Sequence, residues 1–185
     1  MTRVDLFTTI HKGVRALLFD TSIEAARVDV TSNRAVDSLV DRIDHMLELL
    51  EEHEVVEHAE ILPFVELVDR PLAAELSRTH DELVAVSRSV DRAARNLVFA
   101  PEQARGPQLR ELRRVLDAAS IKYLSHLTHE ESVVNAVLWG AFGDDELLAI
   151  HDRIAARLGE ERLRQWQTIL APVTAPSDSP CSARG

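Results

Sequence analysis

Four histidines are spread along the chain, and two of them are followed four residues later by a glutamate. The set comprises His11, His53 with Glu57, His80, and His126 with Glu130. Residues i and i+4 lie on one face of a helix, roughly 6 Å apart between Cβ atoms, so each His-x-x-x-Glu pair can offer a nitrogen and a carboxylate to one point. Six ligands that include two potentially bridging carboxylates suit two metal ions better than one. The sequence therefore predicts a metal site assembled from several helices.

The composition favours helices as the elements that position these residues. Aromatic residues make up only 4% of the chain, glycine occurs 6 times and proline 7 times, while Ala, Leu, Val, Glu and Arg dominate. We therefore predict an all-α protein. A length of 185 residues suits one domain with a real core. We expect residues 1–171 to form that domain and residues 172–185, rich in Pro, Ser and Ala, to form a disordered tail.

Apolar periodicity predicts four long helices, each with a histidine on its apolar face. Their expected bounds are about Val4–Val30, Arg34–Pro63, Pro71–Val98 and Gln108–Trp139. Pro63 should kink or end the second helix, and the segment Ala100–Pro107 should be a loop. Gly140 and Gly143 should stop the fourth helix. A further helical segment from about Asp144 through Trp166 should cap the domain without supplying obvious ligands.

The His-x-x-x-Glu spacing alone is weak evidence for a metal. With 31 acidic residues in the chain, eight histidines should produce one or two such pairs by chance. The setting is more informative, because Glu57 and Glu130 share the core-facing stripes with the histidines, and a buried carboxylate without a cation costs several kcal/mol or stays protonated. A single inward histidine is more often a hydrogen-bonded core residue, but a metal would satisfy the whole set at once. His45, His58, His129 and His151 are placed at the periphery or beside the site.

Two other metal motifs fail on the residues themselves. Ferritin-like di-iron bundles use Glu-x-x-His twice, and no histidine of this chain has a glutamate three residues before it. Zinc peptidases use His-Glu-x-x-His. Here the dipeptide His53-Glu54 leads to Glu57, and His129-Glu130 leads to Val133. Peptidase chemistry is thereby disfavoured.

The charge and the apolar pattern bear on partners and location. A formal net charge of −10 disfavours nucleic acid and anionic membranes, both of which need a basic surface. No apolar run approaches the ~20 residues of a membrane span, and the first residues do not have the pattern of a signal peptide. Cys181 is the single cysteine, so no internal disulfide can form. We expect a cytoplasmic protein, and the sequence leaves its oligomeric state open.

In order along the chain, these residues resemble the hemerythrin-like, or HHE cation-binding, four-helix bundles. The segments that carry the resemblance are IHKGVRALLFD, HEVVEHAEILP, THDEL and YLSHLTHEESVVNAVLW, and the similarity covers about residues 3 to 170. The resemblance implies an up-down antiparallel four-helix bundle with an additional C-terminal helical segment. It also implies a non-haem di-iron centre in which Glu57 and Glu130 bridge the ions, together with an oxo, hydroxo or water bridge.

The ligand types agree with iron, with manganese as the alternative, and the absence of thiolates argues against structural zinc. One departure from the family matters. Oxygen-carrying members have a second histidine four residues after the third-helix ligand, and here that position is Val84. Glu54 is an added candidate ligand, because in some members a glutamate directly follows the second-helix histidine. Fewer histidines and more carboxylates favour oxidation chemistry over reversible carriage.

Three functions follow as hypotheses. The first is a di-iron oxidoreductase (an oxidase, an oxygenase or a peroxide-decomposing enzyme) acting on dioxygen, peroxide or a small molecule. Tyr123 lies three residues before His126 and is its candidate catalytic residue, although a core tyrosine bonded to the backbone explains it equally well. The second is a protein that binds or senses oxygen, nitric oxide or iron without turnover. The third is a structural bundle whose histidines are incidental.

Overall fold

Helices account for all the regular structure of the part that is described. The computed structural model describes residues 3–173, which contain no strand. The long helices are α1 (Thr8–Arg27), α2 (Asn33–Glu60), α4 (Arg70–Val98), α5 (Glu102–His129) and α7 (Asp144–Leu170). Two short helices, α3 (Leu62–Val68) and α6 (Asn135–Ala141), and one π-helical turn, Glu130–Val134, complete the set. The turn joins α5 to α6 directly, so the three form one continuous rod-shaped helix.

Helices α1, α2, α4 and α5 form the bundle. Helix α1 packs against α2 and α5, and α4 packs against the same two helices, which closes a ring of four. Short connections make successive helices run antiparallel. This confirms the predicted all-α fold, an up-down four-helix bundle with an added C-terminal helix. No helix among residues 3–173 is long and apolar enough to cross a membrane.

Side-chain caps set several of the helix ends. The Ser32 hydroxyl accepts the Ala35 N–H at 3.3 Å at the start of α2, and Asp69 accepts the Leu72 N–H at 3.0 Å at the start of α4. Asp5 accepts the N–H groups of Phe7 and Thr8, so α1 begins later than the expected Val4. As expected, α2 ends before Pro63, which lies in the first turn of α3.

The loop predicted over Ala100–Pro107 is wrong, because α5 begins at Glu102 and continues through Pro107. A proline near the start of a helix forfeits one hydrogen bond, and tertiary contacts outweigh that loss here. The Arg105 guanidinium donates to the carbonyl of Ala100 at 3.3 Å and to that of Val30 at 3.2 Å, which ties the segment to the α1–α2 connection.

The sequence predicted a regular α-helix as the fourth bundle helix. The structure instead has the π-helical turn within it. The Asn135 N–H bonds the Glu130 carbonyl, five residues back. Buried residues follow one another at intervals of four across this point, namely His126, Glu130, Val134 and Leu138. On an α-helix of 3.6 residues per turn, each step of four drifts about 40°. The wider turn corrects the drift and keeps all four side chains inward.

The bundle interior has three layers. A larger apolar core fills one end and includes Leu18, Ile43, Leu83 and Leu112, and a smaller apolar core at the other end includes Phe7, Val65, Leu76 and Leu138. Between them lies a polar layer that contains the predicted ligands. Along α4, for example, His80 stands between Leu76 of the smaller core and Leu83 of the larger core.

Helix α7 crosses the outside of α1 and α2. Arg162 and Trp166 both donate to the carboxylate of Glu52, the tryptophan at 2.8 Å. The helix is kinked at Gly159, which has a φ of 74°, a conformation that favours glycine. The predicted domain end at residue 171 stays a prediction, and residues 174–185 of the predicted disordered tail lie outside the described residues.

Candidate metal centre

The structure brings six residues predicted from the sequence into one buried layer. They are the two His-x-x-x-Glu pairs and the two single histidines. Helix α1 contributes His11, and α4 contributes His80. Helix α2 contributes His53 and Glu57, α5 contributes His126, and the π-helical turn contributes Glu130. All six side chains are buried. The helical spacing that suggested a shared site therefore corresponds to a shared place in the fold, and their assignment as ligands stays a prediction.

The polar atoms form two groups of four that share both glutamates. In each group, the candidate ligand atoms lie within 4.8 Å of one another. The first group, named site A, contains His11, His53, Glu57 and Glu130. The second group, named site B, contains His80, His126, Glu57 and Glu130. Each site thus has two imidazoles of its own and two carboxylates in common.

Each shared carboxylate directs one oxygen toward each site. Glu57 Oε1 lies 3.2 Å from His53 Nε2 and 3.4 Å from His11 Nε2, both in site A, whereas Glu57 Oε2 lies 3.6 Å from His80 Nε2. Glu130 has the reverse arrangement, with Oε2 3.5 Å from His11 Nε2 and Oε1 3.2 Å from His126 Nε2. Two carboxylates that span the same pair of sites have the geometry of bridging ligands.

Several atoms of the layer have their hydrogen-bonding capacity unused. His53 Nε2, Glu57 Oε2 and Glu130 Oε2 are buried and have no hydrogen-bond partner among residues 3–173. In site B, the Nε2 atoms of His80 and His126 face each other at 3.0 Å. Two ligands at right angles around one ion, each about 2.1 Å from it, would lie about 3 Å apart. Buried polar atoms normally have partners, so the residues present fit bound cations.

Burial and mutual attraction act against each other in the pKa values of the layer. Burial, helped by repulsion from the neighbouring histidines, outweighs attraction to Glu57 and lowers the pKa of His53 to about 4. Burial also acts to lower the pKa of His11, but hydrogen bonds to Glu131 and Glu57 outweigh it and raise the pKa to about 9. Burial acts to raise the pKa of Glu130, but hydrogen bonds from His126 and His80 lower it. The net shift of the Glu130 pKa is downward. The interaction with the histidines therefore favours a charged Glu130 carboxylate in the bundle interior.

Glu54 and Tyr123 lie beside the two sites and bind each other. The Tyr123 hydroxyl donates a short hydrogen bond to Glu54 Oε1, and the Ser87 hydroxyl is 2.9 Å from the same phenolic oxygen. Glu54 is buried and belongs to neither group of four. Burial raises its pKa to about 7, while the Tyr123 hydrogen bond and the nearby His80 and His126 act to lower it. Whether Glu54 is a ligand stays a prediction.

Glu131 and Arg15 are residues of the site that the sequence analysis missed. Glu131 Oε1 lies 3.0 Å from His11 Nδ1, on the side of the ring that faces away from site A. Arg15 donates to both oxygens of Glu131, at 2.6 and 3.0 Å. An available signal was that Arg15 follows His11 by four residues, which puts both on one face of α1.

The other four histidines lie outside both groups. His129 Nε2 lies 3.9 Å from a carboxylate oxygen of Glu75, and His151 is exposed. His45 and His58 are also absent from both groups of candidate ligands among the described residues. This placement agrees with their predicted positions at the periphery or beside the centre.

A small cavity touches both shared carboxylates. Its volume is about 10 Å³, enough for about one water molecule, and His80, Glu57 and Glu130 are its polar lining. The rest of the lining is apolar and includes Phe7 and Leu76 of the smaller core. The space next to the layer is therefore small and partly apolar.

Comparison with protein families gives a match over most of the chain. A family model described as "Hemerythrin HHE cation binding domain" matches residues 2–138, which include all six motif residues. No curated protein gives a significant match to the chain.

Proposed function

Because the chain belongs to the hemerythrin HHE cation-binding domain family, we propose that it is a non-haem di-iron oxidoreductase that reacts with dioxygen or peroxide. Binding of cations is the property of the family, and the two groups of four buried residues could each hold one. The observation that carries the dinuclear proposal is that Glu57 and Glu130 each direct one oxygen to site A and the other to site B.

In this proposal His11 and His53 hold one ion, His80 and His126 hold the other, and the two glutamates are shared. Bound iron would exchange two electrons with dioxygen or peroxide, so that of two hydrogen peroxide molecules one could be reduced to water and the other oxidised to dioxygen. Mixed imidazole and carboxylate ligands suit iron, with manganese as the alternative. The carboxylates of Glu57 and Glu130 would offset only part of the charge of two divalent ions, so a further anion such as hydroxide would help to balance it.

Two features support turnover over reversible carriage. Val84 contributes no ligand at the position where oxygen carriers of the family have a histidine, so site B has two imidazoles of its own. On that side Glu54, whose pKa is raised to about 7 by burial, can hold a proton, and the Tyr123 hydroxyl donates a hydrogen bond to its carboxylate. Protons delivered close to the centre are needed when an oxygen–oxygen bond is reduced.

The size of the cavity supports a small oxidant as the molecule that reaches the centre. The cavity beside Glu57, His80 and Glu130 has about 10 Å³, room for about one water molecule, so dioxygen or hydrogen peroxide would displace its apolar wall much less than an organic substrate would. An organic substrate would need that wall to open, because ligand pockets for such molecules are typically at least about 300 Å³. Peroxide is therefore the first substrate to test.

The test starts from the full chain loaded with iron(II) without oxygen. Metal analysis should give two iron ions per chain, and added hydrogen peroxide should disproportionate over many equivalents without a reductant, two molecules giving one of dioxygen and two of water. Glu130→Ala, which removes a residue common to both sites, should abolish both iron binding and peroxide loss. Glu111→Ala, at an exposed residue paired with Arg114, is the matched control and should leave both unchanged.

Other results would overturn the proposal in recognisable ways. A spectrum that forms with oxygen, disappears when oxygen is removed and is accompanied by no peroxide loss would identify a binding or sensing protein. Iron that stays far below one ion per chain would identify a bundle with incidental histidines. Equal peroxide loss in Glu130→Ala and the unaltered protein would place the activity outside this centre.

A further inference from the structure

The imidazole of His11 has partners on both of its nitrogens. Nε2 faces the shared carboxylates of site A, 3.4 Å from Glu57 and 3.5 Å from Glu130. Nδ1 lies 3.0 Å from Glu131 Oε1. Arg15 holds Glu131 through two hydrogen bonds from its guanidinium. A line of contacts thus runs from an arginine near the surface through a carboxylate and an imidazole into the polar layer.

The histidines of site B have no equivalent support. His80 Nδ1 and His126 Nδ1 are buried and have no hydrogen-bond partner within residues 3–173. Their Nε2 atoms face each other instead. The two sites therefore have the same kinds of ligand but differ in the partners of the ligands. Of His11, His80 and His126, only His11 has a carboxylate next to its Nδ1 atom.

We propose that Glu131, held by Arg15, is a positioning residue that fixes the His11 ring with Nε2 toward site A and makes site A the tighter of the two metal sites. The inference rests on the proposed function in that it assumes two bound ions. It assigns a role to Glu131 and Arg15, which lie outside the family motif. It also predicts that metal fills site A before site B, an order that the similar ligands of the two sites do not predict.

The physical reason is the effect of a carboxylate on a metal-bound imidazole. A hydrogen bond from Nδ1–H to a carboxylate selects the tautomer whose Nε2 lone pair is free for a metal, orients the ring and makes Nε2 a stronger donor. Removing such a partner typically costs 10–100-fold in metal affinity. Arg15 adds to the effect because its two hydrogen bonds already fix the Glu131 carboxylate. The carboxylate therefore loses little conformational freedom when it binds the ring.

Glu130 and Glu131 are the first two residues of the π-helical turn and contact different neighbours. Adjacent residues of a helix point about 100° apart, so the two carboxylates leave the turn in different directions. Glu130 is the first residue of the turn and points into the polar layer, while Glu131 reaches across to α1. Such turns are frequent at functional sites, and here the turn coincides with the residue that supports a ligand.

The experiment is a titration of the full metal-free chain with cobalt(II), whose visible bands report on its ligands. Calorimetry and absorbance should show two ions binding in two steps of different affinity. Glu131→Ala should weaken the tighter step about 10–100-fold and leave the weaker step within about threefold. Glu131→Gln keeps an acceptor for Nδ1–H without the charge and should restore part of the loss. Glu111→Ala, with an exposed ion-paired carboxylate, should match the unaltered protein.

A spectroscopic measurement separates positioning from a general loss of structure. In the zinc(II)-loaded protein, the His11 Nδ1 proton should give a slowly exchanging, strongly downfield NMR signal, which Glu131→Ala should remove. Two binding steps that are unchanged in Glu131→Ala, or that weaken equally, would overturn the inference and leave the proposed function standing. Failure of the unaltered chain to bind two ions would overturn both.

Discussion

The polar layer and the larger apolar core lie next to each other in the same bundle and are equally buried, but they are built on opposite principles. Residues of the larger core, such as Ile43 and Leu112, are fully buried and stabilise the fold by removing apolar surface from water. The polar layer instead places imidazoles and carboxylates where water is excluded. Buried ionic groups of this kind are weak contributors to stability and are often replaceable by apolar residues at no cost.

Stability of the metal-free fold therefore depends mainly on the apolar cores, and metal binding depends on the polar layer. Attraction between Glu130 and its histidine neighbours offsets part of the cost of burial, as the downward shift of the Glu130 pKa indicates. The unpartnered atoms Glu57 Oε2 and His53 Nε2 show that the compensation is incomplete within the described part of the chain. Bound cations would complete it. Changes in the polar layer should therefore alter stability mainly through bound metal, and changes in the larger core should leave metal affinity largely intact.

The largest expected effect is that of metal on the polar layer. Each ion at a hundredfold excess over its Kd should stabilise the folded state by about 2.7 kcal/mol, so two ions should contribute about 5 kcal/mol. For a domain of this size that raises Tm by roughly 10–20 °C. Calorimetric scans with and without a chelator measure the shift. Glu130→Ala should remove the metal dependence, and a shift that persists in this variant would show that the ions bind elsewhere.

The second effect reverses the roles of the layers. Leu112→Ala, in the larger core, should lower the free energy of unfolding of the metal-free protein by about 3 kcal/mol through lost burial and a cavity. Denaturant unfolding measures the loss, while titration should show metal affinity within about threefold of the unaltered protein. The control is Leu67→Ala, since Leu67 is 77% exposed and should change little. A large loss of metal affinity in Leu112→Ala would break the division between the layers.

A third effect concerns the edge of the polar layer at low pH. Burial acts to raise the pKa of Glu131, but hydrogen bonds from His11 and Arg15 lower it from 4.5 to about 2. A pKa depressed by folding gives stability that is present above pH 4.5 and is lost as pH falls toward 2. In the metal-free protein this should amount to about 2 kcal/mol, allowing for the part-exposed side chain.

Unfolding experiments between pH 6 and pH 2 should therefore show a shallower loss of stability for Glu131→Gln than for the unaltered protein. Glu111→Gln is the control, because an exposed ion pair contributes little. Identical slopes for Glu131→Gln and the unaltered protein would contradict a strong interaction at this edge.

The smallest expected effect is at the boundary of the two layers, where Tyr123 of the larger core binds Glu54. Tyr123→Phe removes that donor, so the Glu54 pKa should rise further above about 7, and unfolding free energy should fall by about 1 kcal/mol. The carboxyl band in infrared spectra at pH 7 reports on the protonation of Glu54. Unchanged peroxide reactivity in the iron-loaded variant would remove Tyr123 from the mechanism.

The sequence was informative where structure follows from periodicity. The helical interval between His53 and Glu57, and between His126 and Glu130, was enough to predict a common face, and four helices with inward polar residues were enough to predict one shared layer. These features depend on local geometry, and packing did not alter them. The fold class followed from the same periodicity and from the resemblance.

What the sequence did not reveal depends on contacts between distant segments. Glu131 was missed because on a regular helix it lies about 100° from Glu130, and only packing against α1 brings it to His11. Pro107 was placed in a loop because its effect on a helix is unfavourable in isolation, and the anchoring contacts of Arg105 could not be foreseen. The partner of Glu54, Tyr123, is 69 residues away in the chain.

The π-helical turn has a consequence for how the length of this chain can vary. The rod formed by α5, the turn and α6 supplies His126 and Glu130 to the polar layer and Leu138 to the smaller core. If one residue of the turn, such as Ser132, were deleted and the segment became a regular α-helix, His126 and Leu138 would be eleven residues apart and only about 20° from a whole number of turns. Both would still point inward. A regular α-helix that kept every residue would instead rotate everything after the turn by about 100°, and either the polar layer or the smaller core would lose its inward side chains. Loss of one residue should consequently be tolerated in this segment and excluded from the regular parts of the bundle helices.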